Sequence, residues 1–597
     1  MLPKLNKQRR KKVVGQIRQT QLITTFGCGS VVDLLDNTVI IAGTDFWDYA
    51  EDPACKDKYV IYEENLQKLL DVDHFVLPKI EDRPQRFPGD YSHDIPAFIF
   101  PEILYCPSCH RLIDYHRLNT AGKFRCFCKN KTNLLPARFI LACENGHLED
   151  FPYYWWVHRG KECKSPKGRQ HNILLLSRPG TSGLEGLYLL CKDCGETRSM
   201  KSAFQSDALK DYHCSGNMPW IRKKDEKTCD KVMRPLLRSA VSVYYSVNYS
   251  ALTIPPWSSH IQQLINANAG CLFDFMDDDY MLNNFIKRKI LYENCGFTTE
   301  DVIKQLKRMD KSRKAKEAKE AKNILEDEYK ALCSETDDEE FKTQFSQVPA
   351  KYAEYIDKVV LVKKLKEVLA LVGFKRIKPY IESDVENGTI APLSSKKKNW
   401  YPAVELRGEG IFIKFNYEKI KEWEERVGSR YDIMKENMEK SLRKTDKYLP
   451  HYVLLHTIAH LLIRQLTLQC GYSSAAIKER IYSSFDEEKE DEEKMAGILI
   501  YTASPDSEGS LGGLVRQGEP ERFQEILDNM LEEAKWCSSD PLCINMKGQG
   551  TFSLNYAACH SCALLPETSC EISNSFLDRA AVVGTLEDRN LGFLEGI

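Results

Sequence analysis

Three groups of cysteines stand at spacings that suit metal chelation. Cys106-Pro107-Ser108-Cys109 is followed after sixteen residues by Cys126-Phe127-Cys128, and Cys191-Lys192-Asp193-Cys194 is followed by Cys214 and Cys229. Near the C-terminus, Cys537 and Cys543 precede the knuckle Cys559-His560-Ser561-Cys562, with Cys570 beyond it. Two thiolates separated by two residues reach one tetrahedral Zn²⁺ from a tight turn, and a second pair on a neighbouring hairpin closes the site. Such zinc is structural, because four thiolates leave no position for an activated water. The third group offers five candidates for four positions, so which four bind stays open.

A disulfide framework is the rival reading of so many cysteines, and it fits poorly. The total of 21 is odd, no apolar segment follows the basic N-terminus, and a chain of 597 residues does not need covalent staples. A reducing cytoplasm is the expected compartment. Cys28, Cys55, Cys271, Cys295, Cys333 and Cys470 stand alone and read as ordinary thiols. Between the first two groups lie Cys143, His147, His158 and Cys163; their spacing is loose, so buried hydrogen-bonded histidines are the reading and a further metal site is the alternative. His456 and His460 are one helical turn apart, as in zinc proteases, but Thr457 occupies the position of the general base of HExxH. Core histidines are the default there. A metal-dependent nuclease built around Asp506 and Glu508 with either histidine is one alternative function, and a pure protein-interaction scaffold without nucleic-acid contact is another.

The elements that must position these groups indicate a mixed α+β multidomain chain. Zinc-ribbon-like clusters occupy the N-terminal half, a charged helical segment the middle, and an α/β zinc-binding domain the C-terminus. The boundaries read as 1–100, a basic arm and β-rich region; 101–240, the zinc clusters; 241–395, a helical lysine-rich middle; and 396–597, the last domain. Residues 20–47 (TQLITTFGCGSVVDLLDNTVIIAGTDFW) suggest a strand, a turn at Gly27 and Gly29, and a second strand. No lysine with Ser or Thr follows Gly29, so this is not a phosphate-binding loop. The aromatic run Phe151, Tyr153, Tyr154, Trp155 and Trp156 can stack bases or pack a core, and core packing is the commoner fate. Residues 301–366 read as exposed helix, either a spacer or a phosphate-tracking surface; the acidic run 486–494 reads as a surface loop. In the last domain WYPAVELRGEGIFIKF predicts a hairpin turned at Gly408 and Gly410, HYVLLHTIAHLLIRQL a buried helix, and GILIYTASPDSEGSLGGL a strand opening into a glycine-dense loop.

A net charge of -2 gives no overall attraction to nucleic acid. The distribution is less even, since no acidic residue precedes Asp33 while Arg9, Arg10, Lys11, Lys12 and Arg18 form a basic arm. That arm can meet phosphate, or be a solvated tail. No apolar run approaches the roughly 18–20 residues needed to span a bilayer.

LITTFGCGSVVDL, PARFILACENGHLEDFP, HTIAHLLIRQL, YTASPDSEGSLGGL, CSSDPLC and AACHSCALLPETSC together resemble the DrmB-like proteins of the bacterial DISARM antiphage system, from about residue 18 to the C-terminus. The final third also resembles the zinc-binding domain of superfamily 2 repair helicases of the MrfA type. The resemblance implies a non-catalytic subunit that associates with a separate helicase, DrmA, and with DNA. It implies that Cys537, Cys543, Cys559 and Cys562 form the helicase-associated zinc site, with Cys570 as the substitute ligand. Cys543 lies further from the CxxC than in the compact family pattern, which leaves that set open. No Walker A lysine, helicase Asp-Glu box, HxK or GxGxxG motif is present, so the chain is expected to bind no nucleotide and hydrolyse no ATP.

Overall fold

The structure, a computed structural model, describes residues 15–597 apart from 36, 51–58, 80–94, 119–123, 164–171, 206, 256–263, 266–267, 277, 291–297, 315–323, 382–383, 386, 442–448, 485–493 and 504–511. The chain divides into two compact units, each assembled from three separated stretches. Residues up to Val60, Phe75–Tyr249 and Ala370–Val404 form the first; Ile61–His74, Ser250–Leu369 and Glu405–Ile597 form the second.

The first unit is built from small antiparallel sheets. Val31–Asp33, Thr38–Ile41 and Ala97–Ile99 make one; Leu112–Asp114, Ile103–Tyr105 and Leu135–Pro136 a second. Leu148–Asp150, Phe139–Ala142 and Arg234–Leu237 make a third, and Ile173–Ser177, Leu187–Cys191 and Thr197–Ser199 a fourth. Such short strands give each sheet little apolar surface of its own, and the last three of these sheets carry clustered cysteines at or beside strand ends. The first run of residues 20–47 is a 3-10 turn, Thr20–Leu22, and not the expected strand; the strand pair is Val31–Asp33 with Thr38–Ile41. Gly29 takes φ +85, and a Cβ there would lie 2.5 Å from the Phe374 ring. Arg376 is fully buried and donates to the carbonyls of Gly146 (2.9 Å), Gly29 (2.8 Å) and Val243. Burial pushes its guanidinium down to about 9.

In the second unit a sheet whose described pairings are antiparallel backs a long helix. The sheet order is Thr336–Asp337, Lys342–Ser346, Ile356–Lys375, Trp400–Phe415, Ala496–Thr502 and Ile477–Ser483, the two long strands belonging to this unit up to Leu369 and from Glu405 onward. The helix Leu449–Cys470 is buried on every side from His451 to Ile463, as a helix apolar all round must be. Glu328 on the helix Ile324–Leu332 accepts twice from Arg480 (2.6 and 2.8 Å), from Tyr482 (3.0 Å) and from the Leu252 N–H (2.8 Å), so this buried carboxylate is fully satisfied.

Two expectations about this region are corrected. Trp400–Phe415 is one continuous strand and not a hairpin. Gly408 stands there because a Cβ would fall 1.6 Å from the Thr502 carbonyl oxygen of the neighbouring strand. The helical reading of 301–366 holds for Thr299–Lys314 and Ile324–Leu332, after which the chain forms Lys342–Ser346 and the 20-residue strand Ile356–Lys375. Val359, Val360, Val362 and Val368 are buried in that strand, and β-branched packing overrides its many lysines. The lysine-rich centre, residues 315–323, and most of the acidic run 486–494 lie outside the described residues. Among the described residues no helix is long and apolar enough to cross a membrane.

Candidate metal centres

A tetrahedron of thiolates about 2.3 Å from a zinc ion has edges of about 3.8 Å. The structure contains groups that match this scale. In the first, Cys109 and Cys126 lie 3.5 Å apart, and Cys106 and Cys128 4.0 Å apart. Cys106 follows the strand Ile103–Tyr105, and the turn from Cys106 to His110 leads back into Leu112–Asp114. His110 takes φ 60, which lets its N–H return to the Cys106 carbonyl at 2.8 Å and aims both thiols inward.

The expected second group divides. Cys214 and Cys229 gather with Cys143 and His147, whereas Cys191 and Cys194 gather with His158 and Cys163. This corrects the pairing of Cys191 and Cys194 with Cys214 and Cys229, and brings in the four residues read as loose. The reason is topological. Cys143 and His147 flank the tight connection between antiparallel strands Phe139–Ala142 and Leu148–Asp150, where Gly146 takes φ +87. Chain distance between Cys194 and Cys214 gave no view of that hairpin.

In the Cys143 group, Cys143 lies 3.9 Å from both Cys214 and Cys229, and His147 Nδ1 lies 3.4 Å from Cys143 and 3.3 Å from Cys214. His147 Nε2 faces Asp225 at 3.3 Å, so the ring nitrogen between the thiols carries the lone pair, the usual support for a ligating imidazole. The hydrogen bond from Cys214 is the largest effect on the Cys143 thiol and lowers it to about 4. In the next group His158 Nε2 is 3.3 Å from Cys194, Cys163 is 3.9 Å from Cys191, and His158 Nδ1 is held by the Tyr154 carbonyl at 2.9 Å. Cys191 ends the strand Leu187–Cys191; Gly195, at φ +78, repeats the turn of His110 with its N–H 2.8 Å from the Cys191 carbonyl.

The C-terminal set is Cys537, Cys543, Cys559 and Cys562, with Cys537 and Cys559 3.5 Å apart, Cys543 and Cys562 3.8 Å, and Cys559 and Cys562 3.7 Å. Cys570 does not join it but stands with His456, His460 and Glu479. Arg579 is fully buried and holds Asp540 through two bonds of 2.7 and 2.8 Å. Asp540 in turn accepts from the N–H groups of Cys537 (2.7 Å) and Ile544 (3.0 Å), which shapes the loop carrying two of the thiols. Burial works upward on the Cys559 thiol, but the Ser561 N–H and hydrogen bonds with Cys537 and Cys562 bring it down to about 7.

Each of these four groups supplies four soft or borderline donors on a tetrahedral scale, which suits zinc. The aromatic run is core: Phe151, Tyr153 and Trp156 are buried, and the Arg198 guanidinium covers Trp156 at 3.6 Å. Arg18 is exposed. Arg9, Arg10, Lys11, Lys12, Asp506 and Glu508 lie outside the described residues.

Comparison with known proteins follows the same division. Residues 18–245 match a family described as a domain of unknown function (DUF8724), and residues 458–563 match the MrfA Zn-binding domain. Over 601 residues the chain is 33% identical to the DISARM protein DrmB of Bacillus paralicheniformis, covering 95% of this chain and 100% of that protein.

Proposed function

Because this chain belongs to the DISARM protein DrmB family, we propose that it is a non-catalytic, cytoplasmic accessory subunit of a DISARM antiphage complex, binding a separate superfamily 2 helicase, DrmA, and helping to hold DNA against it. The observation that carries this reading is the full-length likeness, which includes a zinc-binding domain of the kind found in MrfA. In this reading Cys106, Cys109, Cys126 and Cys128 hold one structural zinc. Cys143, His147, Cys214 and Cys229 hold a second, His158, Cys163, Cys191 and Cys194 a third, and Cys537, Cys543, Cys559 and Cys562 a fourth. Zinc supplies rigidity here: it fixes short ribbons whose apolar surface alone would not hold them.

A nuclease using His456 or His460 is disfavoured because both side chains are fully buried, where no phosphodiester reaches them. Phosphate contact falls to the basic arm, Arg9 to Lys12 with Arg18, shared with the motor, in keeping with a net charge of only -2. Co-expression of the chain with the helicase of its own defence system tests the reading. A stable complex whose DNA-stimulated ATPase differs from that of the helicase alone is the expected result. A chain that purifies alone, leaves the helicase ATPase unchanged and cuts DNA with added metal would replace the accessory reading with the nuclease.

A further inference from the structure

Four donors meet in the core of the second unit outside the Cys537 cluster. His456 and His460 come from the long helix, Glu479 from the strand Ile477–Ser483, and Cys570 from the segment after the last knuckle. Their exposures are 0%, 0%, 2% and 8%. His456 Nε2 is 2.9 Å from Glu479 Oε1 and 3.3 Å from Cys570 Sγ; His460 Nε2 is 3.4 Å from the same Oε1. One potential ligand atom from each residue lies within 4.8 Å of all the others.

The hydrogen inventory is unbalanced in an informative way. His460 Nδ1 stands 2.8 Å from the Ala563 carbonyl oxygen, which can only accept, so this nitrogen carries the hydrogen and Nε2 presents a lone pair in the neutral ring. Cys570 Sγ accepts the Asn574 N–H at 3.1 Å, and Glu479 Oε1 accepts the Glu571 N–H at 3.3 Å. The main chain thus serves the outer side of the group, while nitrogen, oxygen and sulfur atoms of the four side chains face one another on the inner side. Among the described residues, His460 Nε2 and Glu479 Oε2 have no hydrogen-bond partner. Buried acceptors left without a donor, here His460 Nε2 and Glu479 Oε2, are costly, and one cation at the centre of the group removes the cost.

We propose that His456, His460, Glu479 and Cys570 form a fifth zinc site, structural in role. Two imidazoles, a carboxylate and a thiolate make up a tetrahedral ligand count; the thiolate disfavours Mg²⁺ and Ca²⁺, and the bond from His460 to a main-chain carbonyl is the support that zinc-bound imidazoles carry. Four protein donors in a closed core leave no place for substrate. The site joins helix, strand and C-terminal segment at one point. Ala563 follows Cys562 directly, so the segment 563–570 is clamped between two metal sites.

The alternative is a metal-free imidazolium–carboxylate pair, and metal stoichiometry separates the two. The full-length chain, purified without chelator, is weighed by native mass spectrometry and its zinc counted by plasma emission, beside Cys570→Ser and His460→Gln, with circular dichroism as the folding control. Loss of one zinc per chain in each folded variant is expected. Unchanged zinc in both folded variants overturns the site. If either variant unfolds, an anomalous difference map at the zinc edge from wild-type crystals decides: a peak among the four side chains supports the site, and none there refutes it.

Discussion

Replacing Arg579 with methionine removes a buried cation that braces the C-terminal thiolate loop. The guanidinium is fully buried, bonds Asp540 twice and gives a further 2.7 Å bond to the Ala534 carbonyl. Breaking a buried ion pair from one side costs about 3–5 kcal/mol. Asp540 keeps 17% side-chain exposure and its two N–H donors, so the lower end, about 3 kcal/mol, is expected. That corresponds to roughly a hundredfold in equilibrium. Because zinc binding and folding are coupled, the assay is zinc transfer to a chromogenic chelator across a urea series. Arg579→Met should release a first equivalent of zinc at lower urea than wild type, and Asp540→Asn combined with Arg579→Met should be less damaged than the sum of the two. A loss below about 1 kcal/mol, the scale of an exposed pair, with unchanged zinc release would refute the bracing argument.

Asp225→Asn, which weakens the carboxylate support on His147, should lower zinc affinity at the Cys143 group by about tenfold, read by chelator competition. Gly408→Ala should cost about 3 kcal/mol or more in urea denaturation, since its Cβ would meet the Thr502 carbonyl 1.6 Å away; a smaller loss would mean the strands separate easily there. Burial pushes Glu424 up from 4.5 to about 8. The folded state therefore favours its protonated form, a stabilisation complete below the unfolded value and lost as pH rises through about 8. The urea midpoint should fall from pH 6 to pH 9 more in wild type than in Glu424→Gln.

How much of this was legible depended on how local each signal was. The knuckles at Cys106, Cys191 and Cys559 are local: two thiols and a turn specify the geometry within four residues, and the residues that follow two of them, His110 and Gly195, adopt the required left-handed backbone. The buried helix was equally legible because its apolar residues lie in one run. Partner choice was not local. Cys191 and Cys214 lie 23 positions apart but belong to different groups, while Cys143 and Cys229 meet across 86. The signal that could have found the Cys143 group was its glycine: a cysteine and a histidine four apart with Gly146 between them form a knuckle of their own. Glu479 carried no signal, because only the sheet brings its strand under the histidines. Gly408 misled for a physical reason, since a glycine needed for close strand approach has the same spelling as one needed for a turn.

The claim that this chain helps a motor hold DNA is tested most directly by the salt dependence of DNA binding, comparing the helicase alone with its complex. Four phosphate contacts from Arg9, Arg10, Lys11 and Lys12 would steepen the slope of log affinity against log salt by about 3.6 on duplex DNA. The account predicts a clearly steeper slope and tighter binding for the complex, both lost when the four basic residues become glutamine. Identical slopes and affinities with and without this chain would contradict it.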